Sequence, residues 1–79
     1  MTQNEFIDMI DFGGDIMFDL DGKSYSIIAV DDGFANIAEQ VTENNEATFQ
    51  SGRELLDNYR INGETLNDCF ERIKITYCS

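Results

Sequence analysis

Two alternating apolar runs meet at Asp21-Gly22, and this junction constrains the fold more than any other feature. Ile16, Phe18 and Leu20 occupy every second position before it, and Tyr25, Ile27 and Ala29 do so after it. An Asp-Gly pair between two such runs favours a two-residue hairpin, because both central residues of that turn need positive φ. The two strands then share one apolar face. A lone hairpin cannot keep such a face from water, so further strands and a covering layer are required.

The flanking sequence supplies both. Thr2 and Glu5 have the spacing of a capping box, and Phe6, Met9 and Ile10 follow at i, i+3 and i+4, which predicts a helix over residues 2–12 that stops at Gly13-Gly14. After a second turn at Asp31-Asp32-Gly33, the run Phe34 to Val41 reads as a third strand and Ala47 to Gln50 as a short fourth, with a polar loop from Thr42 to Glu46 between them. Ser51 and Glu54 repeat the capping-box spacing ahead of Leu55, Leu56 and Tyr59, predicting a short helix that ends before Asn62-Gly63. Leu66, Cys69, Phe70 and Ile73 mark the face of another helix, and Ile73 to Tyr77 reads as a last strand. The expected fold is therefore α+β. It has a small antiparallel sheet of three to five strands, helices packed on one face, and the order α-β-β-β-(β)-α-α-β in a single domain spanning residues 1–79.

Composition agrees with folding and narrows the chemistry. The 79 residues are 42% hydrophobic, with six Phe, three Tyr and no Pro. That is more core-forming material than a disordered acidic segment carries. Histidine is absent, which removes the commonest general base and the commonest transition-metal ligand. Two cysteines, Cys69 and Cys78, are too few for a zinc site and are expected as free, partly buried thiols. Asp19-Leu20-Asp21-Gly22 resembles a calcium loop in part. Aligning Gly22 to that loop's invariant glycine, however, puts Met17 and Ile28 where carboxylates belong. Gly22-Lys23-Ser24 lacks the upstream glycine of a phosphate-binding loop, since Met17 stands there. Asp11-Phe12-Gly13 matches a kinase tripeptide in letters only and reads as a helix end with Phe12 turned to the core. The chain thus reads as a binding protein rather than an enzyme, with no cofactor, no catalytic residue and no metal. The opening MTQNEFIDMID has no basic segment leading into an apolar one, and no apolar run is long enough for a membrane span, so a cytoplasmic protein is expected.

Charge is the remaining distinctive feature. Residues 1–46 carry eleven acids against Lys23, a net charge of −10, whereas the rest is nearly balanced at −1. Solubility alone asks for a net charge of magnitude about 2–8. A compact chain of this length should be about 30 Å across. Duplex DNA places about 18 charges over that span, so the −11 of this chain is about six-tenths of that density. Glu5, Asp8, Asp11, Asp15, Asp19, Asp21, Asp31 and Asp32 are the candidate partner-binding residues, expected to gather on one exterior patch of the first helix and hairpin.

In its length, in the acid-rich stretch from Glu5 to Glu46 and in the strand-turn-strand Ile16 to Val30, the chain resembles the small acidic proteins of phages and mobile elements, including anti-CRISPR inhibitors and other DNA mimics. The resemblance implies a partner with a basic surface, such as a nucleic-acid-binding protein or a nuclease. Direct contact with nucleic acid is disfavoured, because phosphate binding needs cations and the chain has only five Lys and Arg. The alternative is a structural or assembly module, a homo-oligomer that pairs through a sheet edge or an apolar patch while its acidity serves solubility.

Overall fold

The computed structural model describes residues 1–30 and 33–79. Helix α1, Gln3–Asp11, opens with the expected capping box: Thr2 Oγ1 accepts the Glu5 N–H at 3.1 Å, and the Glu5 carboxylate accepts the Thr2 N–H at 2.9 Å. Phe6 and Ile10 face the core. Phe12 does not, contrary to the expectation from sequence; it caps the helix and is 90% exposed. Helical geometry gives the reason, since two residues past Ile10 is about 200° around the axis and points away from the buried stripe.

Strands β1 (Ile16–Leu20) and β2 (Lys23–Ala29) pair antiparallel. They turn about Asp21 at φ 49° and Gly22 at φ 85°. This is the doubly positive turn that Asp-Gly favours. Strand β3 is Ala35–Glu39, shorter than the run read from sequence, and β4 is Ala47–Phe49. The expected turn at Asp31-Asp32 lies outside the described residues. Helix α2, Gly52–Asn58, starts at Ser51, whose hydroxyl accepts the Glu54 N–H at 3.1 Å. The chain then makes a small hairpin, β5 (Arg60–Ile61) with β6 (Glu64–Thr65), about Asn62 and Gly63, both at positive φ.

Helix α3 covers only Leu66–Cys69 and tightens into a 3-10 turn over Phe70–Arg72 before β7, Lys74–Cys78. The sequence pattern extends that helix to Ile73. The β-branched run beginning there is claimed by the sheet instead, and Ile73 is already extended, which cuts the helix short. The main sheet has the order β4-β3-β2-β1-β7, every pair antiparallel, with α1, α2 and α3 on one face.

The core lies between these two layers. Phe18 and Tyr25, opposite each other on β1 and β2, stack with ring centroids 5.2 Å apart. Phe6 meets Phe70 edge-on at 5.3 Å, tying α1 to the end of the chain. Both are geometries that aromatic quadrupoles favour. Leu55, Leu56 and Leu66 complete the core from the helical side. The molecule measures 30 × 26 × 22 Å with a radius of gyration of 11.1 Å.

Gly52 sets the closest approach of α1 and α2. A Cβ there would stand 2.8 Å from Ile7 Cα and 3.0 Å from its carbonyl oxygen, both backbone atoms that cannot rotate away. Gly52→Ala is therefore expected to destabilise the fold by about 1–3 kcal/mol through overpacking, measured as a lower urea midpoint with unchanged slope.

Candidate functional site

The acids singled out in the sequence do not share one face. Glu5, Asp8 and Asp11 lie exposed on α1, in the helical layer. Asp11 is partly committed, because its Oδ1 accepts the Gly52 N–H at 2.8 Å. It thus holds a carboxylate at the positive end of α2. Asp15 is half-buried where its backbone pairs with Ser79 in both directions, at 2.9 and 3.0 Å. Asp19 alternates with Phe18 and Leu20 and therefore points from the opposite, uncovered face of the sheet, where it accepts the Ser24 hydroxyl at 2.6 Å and sits in register with Lys74. Asp21 pairs with Arg72 at 3.4 Å, and Arg72 also bridges Glu64 at 2.7 Å. Asp31 and Asp32 lie outside the described residues. The expected single patch of first-half carboxylates is thus divided between two layers, because β-strand alternation sends Asp19 to the side away from α1.

The fold assembles a different acidic surface. Helices α1 and α2 run antiparallel: Asp11 touches Gly52 at one end, while at the other Gln3 Nε2 donates to Asn67 Oδ1 at 2.7 Å and Asn67 Nδ2 reaches Asp57 Oδ1 at 3.4 Å. The three α-helices therefore add Glu54, Asp57 and Asp68 to Glu5, Asp8 and Asp11, all six exposed, with Arg53 as their one Lys or Arg, and the 3-10 turn after α3 adds Glu71 and Arg72. Among the described residues none of these six forms a salt bridge. The second half of the chain looks balanced in sequence because Arg60, Arg72 and Lys74 are counted with these acids. In space those cations lie off the three α-helices: Arg60 Nη1 donates to Gly63 O at 3.0 Å, Arg72 is held by Asp21 and Glu64, and Lys74 lies on β7. The amphipathic pattern of Leu55 and Leu56 carried the missing signal, since a helix burying those residues turns Arg53, Glu54 and Asp57 outward.

The shifted titrations have local causes. Two bonds with Thr2 hold the Glu5 carboxyl below its ordinary value, and Arg72 does the same for Glu64. Burial pushes up the Tyr25 and Tyr59 phenols and the Cys69 thiol. Tyr59 uses its hydroxyl to donate to Asn45 O at 2.6 Å. Both cysteines are free, Cys69 buried as expected and Cys78 exposed on the edge strand β7 rather than partly buried. Among the described residues no three His, Cys, Asp or Glu side chains are placed to hold a metal ion, and no helix is long and apolar enough to cross a membrane.

Because the folded carboxyls of Glu5 and Glu64 are depressed, both contribute stability that is present above the ordinary value of 4.5 and is lost as pH falls below it. Acid titration of the urea midpoint should therefore decline below about pH 4.5, and Glu64→Gln should flatten part of that decline.

No family model, curated protein or solved structure matches this chain.

Proposed function

We propose that this protein is an acidic protein-binding module whose helical layer occupies a basic surface on a partner protein. The observation that carries this reading is the set of six exposed carboxylates on the three α-helices, whose one Lys or Arg is Arg53. Like charges on one layer repel and cost stability, a cost that an oppositely charged partner surface would turn into attraction. The net charge of −11 on a body 30 Å long is of the order that duplex DNA presents over the same distance, about 18. A surface built for phosphate is therefore the partner of best fit, and the likeness to anti-CRISPR and DNA-mimic proteins of phages and mobile elements points the same way. The partner in this reading is a nucleic-acid-binding protein or nuclease, and the module acts as its inhibitor.

The test is co-purification from the native host at low salt, followed by challenge with duplex DNA. A basic, nucleic-acid-binding partner should be retained and then displaced by DNA, while the acidic protein alone gives no gel shift. Retention that neither DNA nor raised salt disturbs would exclude this function.

A further inference from the structure

The face of the sheet not covered by helices holds a cavity of about 310 Å³ at the end of β3. Its volume falls within the size range of small ligand sites. Ile28 and Ala38 form its apolar floor, with Ser26 in register beside Ala38, as strand alternation from the buried Ile27 and Ile37 requires. Glu43 and Glu46 stand beside it, whereas Glu39, in register with the buried Tyr25, turns its carboxylate to the helical side; among the described residues no cation lines the cavity. Lys23 pairs with Glu39 at a loose 3.7 Å on that other side of the sheet, away from the cavity.

The wall nearest solvent is Val41, which is 99% exposed at φ 71°. A β-branched residue at positive φ is a genuine outlier, and such conformations persist only where the surroundings over-determine them. Here they do. The Gln40 N–H donates to Ser24 O at 2.8 Å, Gln40 Nε2 donates to Tyr25 O at 3.1 Å, and the Glu43 N–H donates to Glu39 O at 3.0 Å. The isopropyl group is thus held out beside the cavity instead of folding inward.

An occupant must match a carboxylate rim and an apolar floor together. Opposite charge is demanded by the rim, while the floor favours a cation with an apolar stem and a weakly hydrated head, which describes arginine better than lysine. A second copy of this chain is a poor occupant, since it would bring the same rim and another net charge of −11. We propose that this cavity receives an arginine side chain of a partner protein, the guanidinium between Glu43 and Glu46 and the stem against Ile28, Ala38 and Val41. The site lies on the opposite layer from the helical carboxylates and stands independently of the function proposed for them.

The test is a titration of the isotope-labelled full chain with N-acetylarginine methylamide, followed by amide shifts, with the uncharged isostere N-acetylcitrulline methylamide as control. Shifts should concentrate at Ser26, Ile28, Asn36 and Val41, and the citrulline probe should bind at least about fivefold more weakly. The exposed pair Glu43→Gln/Glu46→Gln should weaken the arginine probe by about fivefold while leaving the remaining spectrum in place, whereas Glu5→Gln/Asp8→Asn should leave its affinity unchanged. Equal binding of both probes, shifts spread over the helical layer, no effect of the Glu43 and Glu46 changes, or a homodimer that buries this face would each overturn the proposal. Loss of partner binding through the helical layer would leave these results untouched.

Discussion

Phe6→Ala is expected to cost about 3–5 kcal/mol, whereas Phe12→Ala, six residues along in the same segment, should stay within about 0.5 kcal/mol. Phe6 is fully buried and meets Phe70 edge-on, so its removal leaves a hole between α1 and the 3-10 turn that neither backbone can close. Phe12 contacts mostly water. At typical stabilities of about 0.05–0.15 kcal/mol per residue, the Phe6 change would consume a large share of the folding free energy of a domain this size. Urea unfolding followed by circular dichroism checks both variants, and near-equal losses would contradict the arrangement of α1.

The second large effect concerns binding. Changing Glu5, Asp8, Glu54, Asp57 and Asp68 to their amides leaves the three α-helices with only Arg53 and Asp11 charged, Asp11 being spared because it holds Gly52. Partner affinity at low salt should fall by roughly tenfold to a thousandfold, with most of the loss in the association rate. Glu5, Glu54 and Asp68 lie in the first turns of their helices, where negative charge is favourable, so the amide variant should be modestly less stable while giving a native spectrum. Calorimetric titration against the purified partner measures the affinity directly. An undiminished affinity would place the contact elsewhere on the molecule.

Local rules made much of the fold legible before any coordinates. Asp21-Gly22 specified its turn through the φ values that only a few residue types tolerate, Thr2 and Glu5 specified the start of α1, and the apolar alternation of β1 and β2 specified the buried face. Where two rules competed, sequence was a poorer guide. Ile73 satisfies both a helical face and a β-branched run, and the tertiary pairing of β7 with β1 decides between them. Phe12 looks like core material by type but is placed by helical phase.

The candidate surface was less legible for a different reason. Counting charge along the chain separates Glu5 and Asp8 from Glu54, Asp57 and Asp68, although α1 and α2 lie side by side. It likewise joins Glu5 to Asp19, which the sheet keeps apart. Val41 left no forward signal at all, because a β-branched residue is the last expected in a left-handed conformation, and only the hydrogen bonds of Gln40 and Glu43 account for it.

Stopped-flow association of the purified partner with the wild-type chain and with the amide variant, across rising sodium chloride, isolates the contribution of the helical layer. The wild-type rate constant should fall by about tenfold or more from low to moderately high salt, while that of the variant, whose net charge is −11 + 5 = −6, should fall distinctly less. Identical, salt-independent rates for the two proteins would contradict a partner-binding role for those carboxylates.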